Sequence, residues 1–423
     1  MAKISFIHLS DIHFTKDSNE AFDPDIDLRD ALLNDIKNNA VQALEGIAGV
    51  LVSGDIAFSG QKEEYELAEQ FLNELTTILR IDTTCVYCVP GNHDVNQDTI
   101  KNSATIEMLH SNIETKKTLD EATRLLKKFM QDKSFPGGIL KPFDNYNNFA
   151  NKYSCAVSKE ETFWEKDFDL GYSVKLRICG INSCIISNSN DYRNGEQRYM
   201  FVAESQIPSY NEDSITMILS HHPIDLWMFN DELQAKLDKR AEVQLYGHKH
   251  EQAIRKSDEN LVLTAGATQP TRGDDWVPRY NWITIECKEN NKHREICIKI
   301  FPRKLTTDRN RFAVDKKSCD EDNSYFIYCL NIDEKHQRNM RDSYFFSNIA
   351  DDRMEELPEH YNTVINEFLG FSYVKRQAIL DKLHVELEDK VMQNHVKFMK
   401  EIIRAISENG QMDSFCEEVR NAI

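Results

Sequence analysis

His8-Leu9-Ser10-Asp11-Ile12-His13 closes a short apolar run, residues 4–9, and delivers Asp11 and His13 just past its end. Four further stretches repeat that arrangement: Gly54-Asp55, Gly91-Asn92-His93-Asp94, His221-His222-Pro223 and Gly247-His248-Lys249-His250. Each follows an apolar run of strand length, so each places its side chains at the carboxyl end of a strand. Asp and Asn offer hard oxygen ligands and imidazole suits borderline metals, a mixture that favours manganese, iron, zinc and similar ions. A carboxylate such as Asp55 can bridge two cations, and two metals about 3.5–4 Å apart can clamp a phosphoryl group and activate a water. In Asp11-x-His13 and His248-x-His250, alternate residues of an extended segment point the same way, so each pair is expected to reach one site. Gly54, Gly91 and Gly247 allow tight turns at the strand ends.

The elements between these motifs predict a layered α/β fold. A helix is expected around 28–45 and an amphipathic one from Glu63 to Leu79, with buried strands at 49–53 and 84–89 between and after them. This βαβαβ rhythm places helices over a sheet. Residues 99–163 break it: helical to about Asp132, then loop-like through Phe135-Pro136-Gly137-Gly138, with aromatics at Tyr146, Phe149, Tyr153, Phe163 and Trp164. They form either an insertion overhanging the site or a peripheral helical layer. Strands are expected again at 173–184, 214–220, 242–246, 261–265, 281–287 and 295–301. The expected organisation is a catalytic-type domain over 1–310, an irregular extension and linker over 311–354 with one strand candidate at Tyr325–Leu330, and a small all-α module over 355–423. That module carries apolar stripes at Val364, Ile365, Phe368 and Leu369, at Val374, Ala378, Ile379 and Leu383, and at Val396, Met399, Ile403 and Ile406. Gly410 stands where a helix C-cap belongs.

The chain has 423 residues, 40% of them hydrophobic, with 51 basic and 70 acidic side chains for a net charge of −19. That charge disfavours loose nucleic-acid binding, although metals and a local basic patch can reverse the sign at one place. No run approaches the roughly 18 apolar residues of a membrane span, and the start of the chain lacks a signal-peptide layout. A cytoplasmic protein without membrane attachment is expected. Cys85 and Cys88 form a CxxC, but residues three apart on a strand face opposite sides, which predicts two core cysteines.

The set Asp11-x-His13, Gly54-Asp55, Gly91-Asn92-His93-Asp94, His221 and Gly247-His248-x-His250 resembles the calcineurin-like metallophosphoesterases over about residues 1–300. The resemblance implies a four-layer α/β/β/α sandwich with two divalent ions, Mn2+ by preference, with Fe, Zn, Ni or Co as alternatives. Asp11, His13, Asp55 and His250 would hold the first metal. Asp55, Asn92, His221 and His248 would hold the second. It further implies attack by a metal-bound hydroxide, protonation of the leaving oxygen by His93, and orientation of His93 by Asp94. His222 either lines the pocket or packs. Asn182, Ser183, Arg193, Arg198, Thr271 and Arg272 follow strands near the site; the arginines would hold a phosphate or base, or form surface salt bridges.

The substrate implied is a phosphate ester, first a phosphodiester of nucleic acid or nucleotide. Small cyclic nucleotides or nucleotides, a phosphoprotein, and a non-catalytic scaffold are alternatives. Ser53-Gly54-Asp55-Ile56-Ala57-Phe58-Ser59-Gly60 resembles a bacterial subgroup in which such domains join signalling or defence modules. Phe368-Leu369, Lys375 to Leu383 and Ile402 to Phe415 are similar to death-like effector-associated adaptor domains, which would recruit a protein partner. A dimerisation or capping piece is the other reading of those helices.

Overall fold

In the computed structural model, residues 3–333 are described apart from 19–22, 24, 136–137, 194, 212–213, 258–259, 270–276, 291–292 and 309. Beyond 333, the description covers single positions between 361 and 410 and the segment 411–422. The chain divides into two compact units, Met1–Asn331 and Ile332–Ile423.

Fifteen strands carry the first unit: β1 Lys3–Leu9, β2 Ile47–Val52, β3 Val86–Cys88, β4 Phe163–Asp169, β5 Lys175–Ile181, β6 Tyr192–Arg193, β7 Glu196–Gln197, β8 Ser214–Ser220, β9 Val243–Tyr246, β10 Ala253–Lys256, β11 Leu261–Thr264, β12 Arg279–Asn290, β13 His293–Leu305, β14 Phe312–Val314 and β15 Phe326–Asn331. One sheet runs β14-β13-β12-β1-β2-β3, with β15 also on β13; a second runs β10-β11-β9-β8-β5-β4. β1, β2 and β3 are parallel, as are β5, β8, β9 and β11. Parallel strands bury both faces, and β8 (Ser-Ile-Thr-Met-Ile-Leu-Ser) is buried along its whole length. The sheets meet through aromatic edges: Phe6 lies 5.3 Å from Phe168, Tyr87 lies 5.5 Å from Phe168, and the Trp164 indole donates to the Cys88 carbonyl. The fold is mixed α/β, as expected.

Several expected boundaries move. The helix at 28–45 runs as Ile26–Asp35, a π turn at Ile36–Ala40 and a final turn at Val41–Ala43. Lys62–Leu79 is a clean amphipathic helix, closed at its start by Gln61 and Glu64 hydrogen-bonded as a capping box. The break at 99–163 is mostly helical, with Ala104–Glu114, Leu119–Met130 and Asp144–Ala150. Tyr146 and Phe149 from it pack on Tyr65 of the long helix. Trp164, grouped with those aromatics in sequence, belongs instead to β4 at a sheet edge. Within the 311–354 stretch, β14 and β15 both pair with β13. Cys297 and Cys329 stand opposite each other in the β13–β15 ladder and are joined by a disulfide, which cysteine spacing does not foretell. Cys88 is buried, whereas Cys85 precedes β3 and is partly exposed.

A buried ion pair fastens the first helix to the sheet. The Arg303 guanidinium donates to both Asp35 oxygens and stacks on Trp282, while the Tyr280 hydroxyl donates to the same carboxylate at 2.5 Å.

In the second unit, Val364, Phe368, Ile379, Leu380, Leu383 and Ile406 are buried with Phe415 and Val419 of the helix Met412–Ala422. Gly410 has a φ of +65° and the Gln411 amide reaches the Ile406 carbonyl, the geometry of a Schellman C-cap. The expected stripe residues Ile365, Leu369, Val374, Ala378, Val396, Met399 and Ile403 lie outside the described residues. Among the described residues no helix is long and apolar enough to cross a membrane.

Two stability predictions follow from buried polar groups. Arg303→Ala leaves the Asp35 carboxylate buried without its cation, and a loss of about 3–5 kcal/mol is expected in urea unfolding. A loss under about 1 kcal/mol would show that the pair does not brace the helix. Burial lowers the His110 pKa to about 3, with Arg198 adding to the effect. The unfolded chain therefore binds this proton near pH 6.5 and the folded chain only near 3, so stability falls as pH drops through that window. His110→Asn is expected to remove on the order of 2 kcal/mol of the decline between pH 7 and 5; equal slopes for both proteins would refute it.

Candidate metal centre

The carboxyl ends of β1, β2 and β3 in one sheet and of β8 and β9 in the other converge, the usual ligand edge of parallel sheets. Backbone bonds stitch that edge together. The Asp55 carbonyl accepts from the Ile12 and His13 amides, Gly54 O accepts from Asp11 N, and His221 O accepts from Gly247 N. The His248 amide donates to Asp11 Oδ2, tying β9 to β1.

This stitching curls the ligand segments instead of extending them. Asp11, His13, Asp55, His248 and His250 have φ values of 53°, 51°, 52°, 70° and 55°. The expectation that Asp11-x-His13 and His248-x-His250 work by strand alternation is therefore corrected. A left-handed residue turns the chain, and the turn, not the pleat, aims both members of each pair inward. Such backbone costs on the order of 1–3 kcal/mol per non-glycine residue and concentrates at functional sites. Gly54, at φ +89°, sits under the His221 ring, where a Cβ would come within 2.6 Å of Nδ1.

Two groups of donor atoms result, sharing Asp55. On one side His250 Nε2 is 3.0 Å from Asp11 Oδ1 and His13 Nε2 is 3.8 Å from Asp55 Oδ2. On the other, His221 Nε2 is 3.3 Å from Asp55 Oδ2 and 3.0 Å from Asn92 Oδ1, and His248 Nδ1 is 3.1 Å from Asn92 Oδ1 and 3.2 Å from His221 Nε2. All seven expected ligand residues are thus within one cluster. Its chemistry fits divalent cations. Both ring nitrogens of His13 are buried with no hydrogen-bond partner, and the donors are carboxylate, amide oxygen and imidazole.

The charge balance agrees. Burial works against ionising Asp11, but the hydrogen bond from His250 and the charge of His221 hold its pKa at about 2. Burial also opposes charge on His221, yet Asp55 and Asp11 raise it to about 9. His13 and His248 are pushed down by burial, to about 4 and about 3, and stay neutral. His13 and His248 are thus in the neutral form that metals require beside ionised carboxylates, whereas His221 must release its proton for a metal to bind.

His93 is half-buried; its amide donates to Asp55 Oδ1 and its Nδ1 bonds the Phe58 carbonyl at 2.6 Å. The carbonyl can only accept, so Nδ1 carries a proton and Nε2 is the free end of the ring. Asp94 does not orient His93 as expected. It is fully buried and accepts from the amides of Ile56, Ala57 and Gly91 and from the Tyr65 hydroxyl. It binds the loop after β2 to the loop after β3. Burial, reinforced by Asp55, raises its pKa to about 6.

The expected substrate residues fare differently. Asn182 is buried and its side chain caps the Cys184 amide. Arg198 is half-buried, its guanidinium held by Glu114, Asp191 and the Ile186 carbonyl. Neither reaches toward the cluster; each satisfies local backbone or charge. His222 is buried on Ser183, which is 2.9 Å from Nδ1, with its ring 4.5 Å from that of His248; its Nε2 has no hydrogen-bond partner, and with His221 and His248 it forms a group able to hold a metal. Arg193 lies in β6, but its side chain is outside the described residues, as are Thr271 and Arg272. Sequence reasoning missed Gln197 and Tyr192, which touch His248, and Phe58, which touches His93. Tyr192 and Gln197 lie in the β6–β7 hairpin outside both large sheets, and Phe58 follows β2 in the same loop as Asp55 but is not a metal-ligating residue type.

A Cβ at Gly91 would collide with the Asp55 carboxylate and amide. Gly91→Ala is therefore expected to fold but to lose metal at both positions, read as metal content after dialysis. Retention of two ions per chain would count against Asp55 as the shared ligand.

The chain matches the family model described as calcineurin-like phosphoesterase over residues 4–252. The uncharacterized metallophosphoesterase-like protein YydB of Bacillus subtilis (strain 168) is 24% identical over 318 residues, 71% of this chain and 60% of that protein. The chain thus aligns with 60% of this curated relative's length, less than two thirds. Among solved structures, GAP50, the anchor in the inner membrane complex of Plasmodium, aligns at 11% identity and a TM-score of 0.38, covering 78% of this chain and 89% of that one. Vacuolar protein sorting 29 from Cryptosporidium parvum aligns at 13% identity and a TM-score of 0.32, covering 78% and 98%. The family model spans more than half of the residues and contains every motif of the cluster, and on that match the chain belongs to the calcineurin-like phosphoesterase family.

Proposed function

We propose that this chain is a metal-dependent phosphoesterase built on a four-layer α/β/β/α sandwich, and that its preferred substrate is a phosphodiester of nucleic acid or nucleotide type. The observation that carries the reading is the convergence of Asp11, His13, Asp55 and His250 with Asn92, His221 and His248 around one carboxylate. In this reading the first four hold one divalent ion; Asp55, Asn92, His221 and His248 hold a second, with manganese preferred. When bound, such ions supply charge neutralisation at the phosphoryl group and activation of a water.

The remaining work falls to the chain. His93, fixed through Nδ1–H to Phe58, presents Nε2, which in the doubly protonated ring passes its proton to the leaving oxygen and leaves the neutral Nδ1–H tautomer. Asp94 keeps the loops after β2 and β3 in register so that Asp55 and Asn92 stay within reach of one another. Phe58 and Tyr192 border the cluster beside His93 and His248 and are 45% and 57% exposed, open enough for planar groups to stack. That favours substrates with bases over small monoesters. The C-terminal helices are proposed to recruit a protein partner, as an effector of a bacterial signalling or defence system would require.

The test is hydrolysis of bis(p-nitrophenyl) phosphate, followed by a panel of DNA, RNA, cyclic nucleotides and phosphomonoesters. Turnover is expected only with manganese or a similar ion and is expected to vanish in Asp55→Ala. His93→Ala is expected to keep both ions and lose about 10²–10⁴-fold in kcat. A folded, metal-loaded protein that cleaves none of these esters would overturn the proposal; turnover confined to monoesters would overturn the diester preference.

A further inference from the structure

We propose that Gln197 is a positioning residue for the second metal position, and that the helical insertion holds it in place through Arg198. Gln197 Oε1 lies 2.6 Å from His248 Nε2. An amide oxygen only accepts, and Gln197 Oε1 at 2.6 Å from Nε2 is a closer acceptor than Asn92 Oδ1 at 3.1 Å from Nδ1, which favours the neutral imidazole with its proton on Nε2. The lone pair is then on Nδ1, the atom 3.1 Å from Asn92 Oδ1 and 3.2 Å from His221 Nε2. Gln197 thereby selects the tautomer whose lone pair enters the cluster. The opposite tautomer would turn an N–H into it and could not ligate. Tyr192, paired with Gln197 across the hairpin, stacks on the same ring and places its hydroxyl 3.0 Å from the same nitrogen.

Two two-residue strands cannot hold such a geometry unaided. The anchor is the next residue. The Arg198 amide bonds the Asp191 carbonyl at 2.7 Å, closing the base of the hairpin. Its guanidinium reaches Asp191 Oδ1 at 2.8 Å, the Ile186 carbonyl, and the carboxylate of Glu114 at the end of the helix Ala104–Glu114. The Arg198 side chain is only 11% exposed, so these contacts are shielded from solvent and geometrically constrained. A second strut runs from Asn188, whose amide nitrogen is 3.3 Å from His110 Nδ1 on the same helix. This gives the helical insertion at residues 99–163 a definite task. It is the brace of a hairpin that fixes one ligand.

The inference rests on the metal-centre reading only where metal is measured, so the test separates the two. In protein stripped of metal, long-range ¹H–¹⁵N spectra of His248 are expected to show the Nε2–H tautomer in wild type and a mixture in Gln197→Leu. Gln197→Glu, which keeps an acceptor, is expected to restore the single tautomer. In cobalt titrations followed by visible absorption, Gln197→Leu is expected to weaken one of two binding events about 10–100-fold, with Gln197→Glu near wild type. Glu114→Gln, remote from the cluster, is expected to weaken the same event by a smaller factor. An unchanged tautomer in a folded Gln197→Leu protein would overturn the proposal. A changed tautomer with unchanged cobalt binding would instead overturn His248 as a ligand.

Discussion

Asp55 is the constraint on which the rest of the site depends. Its carbonyl gathers the Ile12 and His13 amides, its Oδ1 takes the His93 amide, and its Oδ2 faces both His13 and His221. One residue therefore sets the relation of three strand ends. Its own left-handed backbone makes this possible, and Gly91 has no side chain because Asp55 occupies that space. Asp94 fixes the neighbouring amides from behind, so the loops after β2 and β3 behave as one piece.

Much of this was legible in the sequence, for a definite reason. Buried parallel strands read as apolar runs, and the residues after Leu9, Val52, Cys88, Ser220 and Tyr246 fall at their carboxyl ends whatever the details of packing. The ligand types could be read from those positions. The local geometry could not. Strand alternation at Asp11-x-His13 was the wrong mechanism, because cross-strand amides curl the segment in a way no single-segment pattern records. Asp94 adjoins His93 in sequence, yet backbone donors from two other segments claim its carboxylate. Arg198 has the chemistry of a phosphate-binding arm; Glu114, 84 positions earlier, uses it up. Gln197 carries no motif at all, and its role exists only because the hairpin folds over His248.

The electrostatics of the chain separate into two scales. The surface is acidic, at −19 overall, whereas the cluster is arranged to collect positive charge. Asp11 and Asp55 stay ionised despite full burial, and His221 is the group that answers them when protons are the only cations present. An acidic exterior repels a polyanionic substrate at long range, a repulsion that salt screens within about 10 Å. Affinity for such a substrate would then come from the cluster and its aromatic border at contact distance rather than from steering.

The bond between Asp11 and His250 spans 239 positions. Contacts that distant form late, because the loop entropy must be spent before the contact repays it. On a ribosome, β1 would emerge with its two ligands long before β9 supplied theirs, and the pairs cannot meet before β9 is in place. A nascent or truncated chain therefore passes through its whole early life without a formed centre. Docking of β9 is the event that brings the cluster into existence, which ties the appearance of metal affinity to a late step of folding.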